Sequence, residues 1–126
     1  MAKILTVDDQ LTIRELVSAV LVNQGHEVDT AEDGMAALKL LESSHDYDLI
    51  ISDVNMPNLN GISLVSKIRQ IDDLKYVPIL MLTTESGQDI KNTARTCGAS
   101  GWLTKPFDSH RLSGAVKKLL ARMAHS

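Results

Sequence analysis

The sequence lacks several features that mark particular classes of protein. Cys97 is the only cysteine among 126 residues, so no disulfide can form within the chain and we expect a reducing compartment. The 13 basic and 16 acidic residues give a formal net charge of -3, and the basic residues form no block. This charge pattern argues against nucleic acid or an anionic membrane as the main partner.

The chain also lacks long apolar runs, linkers and internal repeats. No apolar run approaches the ~20 residues of a transmembrane helix, and the N-terminal run that begins at Lys3 is too short for the core of a signal peptide. A length of 126 residues suffices for one domain of ordinary size. We therefore expect a single domain over residues 1–126 that acts as a monomer in the cytoplasm.

What the chain does contain is a regular alternation of strand and helix patterns. Short strand-like runs are predicted at residues 3–7, 27–31, 48–52 and 77–83, and a small fifth strand is predicted around Trp102 and Leu103 within residues 98–104. Amphipathic helices are predicted at residues 10–24, 35–43, 61–71, 87–97 and 109–123. This alternation is typical of an α/β fold with a doubly wound, five-stranded parallel sheet. Because the second strand is polar and the first, third and fourth are apolar, the strand order 2-1-3-4-5 fits best.

Polar residues follow the predicted strands at their carboxyl ends. Asp8 and Asp9 follow the first strand, Asp53 the third, Thr83 ends the fourth, and Lys105 follows the fifth. Parallel strands bring these ends to one edge of the sheet, where ligands of open α/β sheets bind. Three carboxylates at one place repel one another. A divalent cation, with Mg²⁺ the best fit, would relieve that repulsion.

Such a site suits phosphoryl transfer, which depends on positioning and on stabilising charge at the phosphoryl oxygens. Asp53 would attack in line and become an aspartyl phosphate. Lys105 would offset negative charge, and Thr83 would offer a hydroxyl to a phosphoryl oxygen. Taken singly, each residue also fits an ordinary role, such as acids at a helix N-terminus. Convergence of all of them at one edge favours the functional interpretation.

With these residues, the sequence closely resembles a known family, the receiver domains of two-component response regulators. Among them it resembles the stand-alone chemotaxis type. The resemblance covers essentially the whole chain and implies a flavodoxin-like (βα)5 fold. It depends on four motifs in the correct order and spacing: Val7-Asp8-Asp9, Ser52–Pro57 with Gly61, Thr83-Thr84-Glu85, and Gly98–Phe107.

The resemblance implies roles for the acidic residues. Asp53 is the phosphoacceptor, which takes phosphate from the phosphohistidine of a histidine kinase of the chemotaxis type. Asp9, Asp53 and the backbone carbonyl of Asn55 ligate Mg²⁺, while Asp8 contributes to the metal site mainly through ordered water. The protein would catalyse its own phosphorylation and dephosphorylation and would not be a conventional enzyme.

The resemblance also implies how the phosphoryl group is held and reported. Thr83 and Lys105 contact it, and the peptide bond that precedes Pro106 is cis. The family couples Thr83 to an aromatic residue on the fifth strand, which here is Trp102. A bulky indole whose N–H needs a partner gives two alternatives at this position, an altered switch or the conventional one.

Asn55 and Glu85 occupy the positions that tune dephosphorylation in the family. The output face is less familiar, because the fourth helix starts with Ser86-Gly87-Gln88-Asp89, where motor-binding relatives carry lysines. The downstream protein partner is therefore open between the flagellar motor switch and another component of the chemotaxis array. A phosphate sink that does not bind the motor is a further alternative.

Three other functions fit the same architecture less well. A flavin mononucleotide binder would need a Ser/Thr/Gly-rich phosphate loop where Asp8 and Asp9 stand. A phosphatase with an aspartate nucleophile would need a second acid where Asn55 stands. A scaffold that is never phosphorylated would not need Asp53, Thr83 and Lys105 intact together.

Overall fold

Five parallel strands form one sheet in the order β2-β1-β3-β4-β5, which confirms the predicted fold class and strand order. The computed structural model describes residues 2–56, 58–84 and 88–124. The strands are β1 (Lys3–Val7), β2 (Glu27–Ala31), β3 (Leu49–Asp53), β4 (Ile79–Thr83) and β5 (Gly101–Thr104). The helices are α1 (Leu11–Asn23), α2 (Gly34–Ser43), α3 (Gly61–Arg69), α4 (Gln88–Cys97) and α5 (Ser109–Ala124), with a 3-10 turn at Asp72–Leu74.

The sheet has a hydrophobic core on each face. On one face, side chains of α2 and α3 pack against β1, β3 and β4. On the other face, α1 and α5 cover the same strands together with β5. All five residues of β3 are buried, as expected for a central strand with helices on both faces. The ends of β3 and of its two neighbours are therefore held in a rigid frame.

Strand β4 begins two residues later than the sequence pattern predicts, whereas β5 forms around Trp102 and Leu103 as predicted. Before β4, the Val77 N–H donates to the Leu74 carbonyl at 3.2 Å, so it belongs to a turn. Before β5, Gly98 adopts a φ of 111° and its N–H bonds to the Arg95 carbonyl at 3.2 Å, which closes α4. Strand β3, in contrast, extends one residue further than predicted and ends at Asp53 itself.

One residue of the predicted buried stripe on α1 is exposed. Spacing of apolar residues predicts that Ile13, Leu16, Val17, Val20 and Leu21 face inward, and Val17 and Leu21 are indeed fully buried. Leu16 is 42% exposed, so that part of the prediction was wrong. Leu16 lies about 100° around the helix from Val17, on the flank beyond the contact with the sheet.

Within the described parts of the chain, each helix is too short or too polar to cross a membrane.

Candidate functional site

The carboxyl ends of β1 and β3 bring three acidic residues together. Asp8 and Asp9 follow β1, and Asp53 is the last residue of β3. One carboxylate oxygen from each of these residues lies within 4.8 Å of the other two. The sequence placed these three acids at one sheet edge, and the structure brings them within reach of a single ion.

Asp8 is fixed in place by contacts on all sides. It is buried, and its Oδ1 accepts a hydrogen bond from the Gln10 N–H at 2.9 Å. Its main-chain N–H donates to the Ala31 carbonyl at 3.2 Å, and its carbonyl accepts from Arg14 Nη1 at 2.7 Å. Asp9 is exposed at the surface of the same loop. The pair therefore divides into a fixed inner acid and an open outer one.

Lys105 bridges the two buried carboxylates. Its Nζ lies 3.2 Å from Asp8 Oδ2 and 3.2 Å from Asp53 Oδ1, and its side chain is only 12% exposed. Its main-chain N–H donates to the Thr83 carbonyl at 2.7 Å, and its peptide bond with Pro106 is cis. One ammonium group thus offsets part of the charge of two acids, which leaves the cluster with net negative charge.

This excess of negative charge affects the protonation of the Asp53 carboxyl group. The residue is 5% exposed, and burial raises the pKa of its carboxyl group above the usual value. The negative charge of Asp8 raises the pKa further, while Lys105 acts in the opposite direction. A second positive charge beside Asp53 would therefore stabilise its ionised form.

The donor set at this edge fits a small, hard cation. Mg²⁺ is bound through one or two carboxylates, retains several waters and accepts phosphate oxygens as ligands. Asp9 and Asp53 are placed to supply the carboxylates, and an oxygen of the buried Asp8 carboxylate lies within 4.8 Å of an oxygen of each. Asn55, whose backbone carbonyl the resemblance assigns to the metal, follows Asp53 by two residues and is exposed.

The loop from β3 to α3 is anchored at both of its ends. At the α3 end, the Gly61 N–H donates to the Val54 carbonyl at 2.8 Å, and the Asn60 side chain caps the helix by accepting from the Ser63 N–H at 2.9 Å. At the β3 end, the Val54 N–H donates to the Leu82 carbonyl at 3.0 Å, and within the loop Asn58 Nδ2 donates to Asp33 Oδ2 at 3.0 Å. The main chain that follows Asp53 is therefore held by several elements.

Two of the remaining predicted residues lie on described strands. Thr83 is buried as the last residue of β4, directly beside the end of β3. Trp102 is half-buried on β5 and packs against the core on the α3 side. The Arg95 guanidinium of α4 lies 5.3 Å from the centre of the indole ring.

Some predictions fall on residues outside the described part of the chain. These include Glu85, which was assigned to dephosphorylation, and the Ser86-Gly87 start of the fourth helix. Pro57 of the third-strand motif is likewise outside it. Their assignments stay predictions.

Arg14 is a contact residue that sequence reasoning missed. Its guanidinium reaches back from α1 to the main chain of Asp8, so it supports the acidic loop. An arginine one turn into an amphipathic helix looks like any solvated charge, and its target is a carbonyl that carries no sequence signal.

The comparisons with known proteins agree with this geometry. Residues 4–117 match the response regulator receiver domain family, and the chain belongs to that family. Among curated proteins it is similar to chemotaxis protein CheY-3 of Vibrio cholerae, with 36% identity over 122 residues that cover 96% of this chain and 93% of that protein.

Solved structures give the same result. The chemotaxis response regulator CheY4 of Vibrio cholerae has a TM-score of 0.91 and 44% identity, over 94% of this chain and 98% of that one. The receiver domain of the sensor histidine kinase PA1611 of Pseudomonas aeruginosa has a TM-score of 0.87 and 28% identity, over 95% and 98% of the two chains. That structure holds a magnesium ion in its active-site cleft. The family resemblance predicted from the motifs is thus confirmed.

Proposed function

We propose that the chain is a CheY-type, single-domain response regulator whose phosphoacceptor is Asp53. One observation carries the proposal: Asp53 is a buried carboxylate at a strand end, 3.2 Å from an ammonium group and within 4.8 Å of two further acids. A structural ion pair needs one acid per lysine. Two acids more than Lys105 can balance are expected at a site that binds a cation together with a phosphoryl group.

The reaction follows from the placement of these groups. An Asp53 carboxylate oxygen attacks the phosphorus of the phosphohistidine, so that an O–P bond forms and the P–N bond to the imidazole breaks. Lys105 pairs with one phosphoryl oxygen, and the Thr83 hydroxyl donates to another. Asp9, Asp53 and the Asn55 carbonyl would hold Mg²⁺, with Asp8 as their inner support. When bound, the ion supplies positive charge to the carboxylates and the phosphoryl oxygens.

The phosphorylated protein signals by binding a protein partner in the cytoplasm. The names of the relatives place them in chemotaxis, and we assign the same pathway to this chain, with a histidine kinase as phosphodonor. Asn55 and Glu85 set the lifetime of the phosphate. Thr83 transmits its arrival toward Trp102, which already contacts α4 through Arg95.

Incubation with Mg²⁺ and acetyl phosphate tests this function. Wild-type protein is expected to gain an acid-stable, base-labile phosphoryl group, and Asp53→Asn is expected to gain none. Asp72→Asn is the matched control, because it removes an exposed acid on the 3-10 turn. Equal labelling of wild type and Asp53→Asn would move the site elsewhere. Absence of label from both would favour the scaffold alternative.

A further inference from the structure

We propose that Gly61 is a positioning residue for the phosphoacceptor. Gly61 is the first residue of α3, and it stands against the main chain of Asp53. The absence of a side chain lets α3 approach the end of β3 closely enough to set the position of the Asp53 carboxylate. This inference rests on the proposed function, because it concerns the residue that accepts the phosphoryl group.

The space at Gly61 is closed by backbone atoms. A Cβ added there would lie 2.2 Å from the Asp53 carbonyl oxygen and 2.9 Å from Val54 Cα. It would also lie 2.8 Å from Met81 Cε, but that atom is the tip of a flexible side chain and can move. The two main-chain contacts are the ones that a substitution cannot avoid.

The need for glycine is spatial and does not come from the backbone conformation. Gly25 and Gly98 have positive φ angles, which favour glycine, but Gly61 does not. An alanine could adopt the helical conformation of Gly61 without strain. Its methyl group would still collide with Asp53.

Neither the end of β3 nor the start of α3 can move freely to relieve this contact. The Gly61 N–H bonds to the Val54 carbonyl at 2.8 Å, and the Val54 N–H bonds to the Leu82 carbonyl of β4 at 3.0 Å. On the α3 side, Leu64 and Ile68 are fully buried in the core. A contact at 2.2 Å must lengthen by about 0.8 Å to reach even 3.0 Å, and Asp53, at the strand end, has to take up much of that shift.

A shift of this size matters for the chemistry of Asp53. Misplacement of a reacting group by about 1 Å can slow a reaction roughly 10²-fold. The carboxylate would also move relative to Lys105 Nζ, now 3.2 Å away, and relative to the other acids of the metal site. We therefore expect Gly61→Ala to weaken both Mg²⁺ binding and phosphorylation.

Two other glycines provide matched controls. At Gly34, a Cβ would lie 2.6 Å from the Leu59 carbonyl oxygen, so Gly34→Ala imposes a similar backbone clash on the far end of the β3–α3 loop. At Gly114 in α5, a Cβ would meet nothing within 4 Å. Gly114→Ala therefore adds a methyl group without a clash.

The experiment compares the three alanine variants in stability, metal binding and reactivity. Urea unfolding gives stability, calorimetry gives the affinity for Mg²⁺ alone, and acetyl phosphate at saturating Mg²⁺ gives the phosphorylation rate. Gly61→Ala is expected to lose rate roughly 10²-fold and to bind Mg²⁺ more weakly. Gly34→Ala should keep the rate within a few-fold despite its own loss of stability, and Gly114→Ala should match the wild type in rate and in Mg²⁺ affinity.

Amide NMR spectra of the metal-free proteins provide a readout that does not depend on activity. Gly61→Ala should shift the Asp53 and Val54 amide signals, whereas Gly34→Ala should leave them in place. If Gly61→Ala folds poorly, the same measurements are made in the Gly114→Ala background, where alanine in an exposed helix interior adds stability. Failure of both forms to fold would contradict a positioning role.

Equal losses of rate and of Mg²⁺ affinity in Gly61→Ala and Gly34→Ala would overturn the inference, since the effect would then belong to the loop as a whole. The proposed function fails in a different way, when the wild type itself takes no label. In that case Mg²⁺ affinity and the NMR shifts still decide whether Gly61 positions Asp53.

Discussion

The buried charges at the two edges of the sheet, at the amino ends and at the carboxyl ends of the strands, are compensated to different extents. At the amino ends of the strands, the half-buried guanidinium of Arg69 donates to the carbonyls of Gly98 at 2.8 and 3.0 Å, Val77 at 2.6 Å and Leu74 at 3.1 Å. At the carboxyl ends, Lys105 faces more negative charge than it can balance. At the first edge the charged group is matched by hydrogen-bond acceptors, whereas at the second edge the negative charges outnumber the positive one.

This difference separates a structural charge from a functional one. Burial lowers the pKa of the Arg69 guanidinium, and its hydrogen bonds to the carbonyls of Val77 and Gly98 tie α3 to the segments that precede β4 and β5. Burial raises the pKa of Asp53, and the negative charge of Asp8 raises it further against the opposing effect of Lys105. Removal of the Arg69 charge should therefore destabilise the first edge, whereas removal of an acidic charge should relieve repulsion at the second.

The largest effect is expected for Arg69→Ala. Removal of the guanidinium leaves several carbonyls without their donor, and we expect the free energy of unfolding to fall by about 4 kcal/mol. Urea unfolding measures this, with Arg111→Ala as a control at an exposed position of α5. A loss below about 1 kcal/mol would remove the contrast between the two edges.

A smaller loss of stability is expected for Lys105→Met. Without its ammonium group, Asp8 and Asp53 repel each other uncompensated, which we expect to cost about 2–3 kcal/mol in the metal-free protein. Mg²⁺ should restore part of this stability, and phosphorylation should remain slow because one phosphoryl contact is gone. Lys117→Met, on the exposed face of α5, should change neither property. Unaltered stability in Lys105→Met would show that the acids do not depend on this lysine.

Asp53→Asn should stabilise the metal-free protein, by about 1 kcal/mol at neutral pH. Because the pKa of Asp53 is raised in the folded state, its ionised form costs stability above that pKa. Below the unfolded-state pKa the group is protonated in both states, and the cost disappears. The stability difference between variant and wild type should therefore shrink as the pH falls, when both are followed by urea unfolding. A difference that is constant with pH would mean that the charge of Asp53 is not the cause.

The smallest signal is expected from Trp102, the only tryptophan. Mg²⁺ or phosphorylation should change its fluorescence emission, because β5 leads directly into Lys105 at the site. Asp53→Asn gives the matched control for the phosphorylation step. Unchanged emission in protein that is demonstrably phosphorylated would exclude β5 from the switch.

The fold and the gathering of the acids could be predicted because both depend on patterns that run along the chain. Alternation of strand and helix specifies a parallel sheet, and parallel strands place their carboxyl ends together. Asp8, Asp53 and Lys105 each follow or end a strand, so their convergence required no knowledge of packing. The polar character of β2 was enough to put it at an edge.

Other features depend on contacts between distant main-chain atoms, which no local pattern records. Arg14 and Arg69 bond to carbonyls, and a carbonyl is present at every residue. The exposure of Leu16 depends on how wide a stripe of α1 the sheet covers. The sequence motif contained Gly61, but its closeness to the Asp53 carbonyl emerges only when α3 is packed against β3.

The central claim is that the excess of negative charge around Asp53 serves Mg²⁺-dependent phosphorylation. Peptide mapping of protein treated with acetyl phosphate tests it most directly. We predict one phosphoryl group per chain, on the peptide that contains Asp53, and only when Mg²⁺ is present. Label on another residue, or label on Asp53 that forms equally well without Mg²⁺, would contradict it.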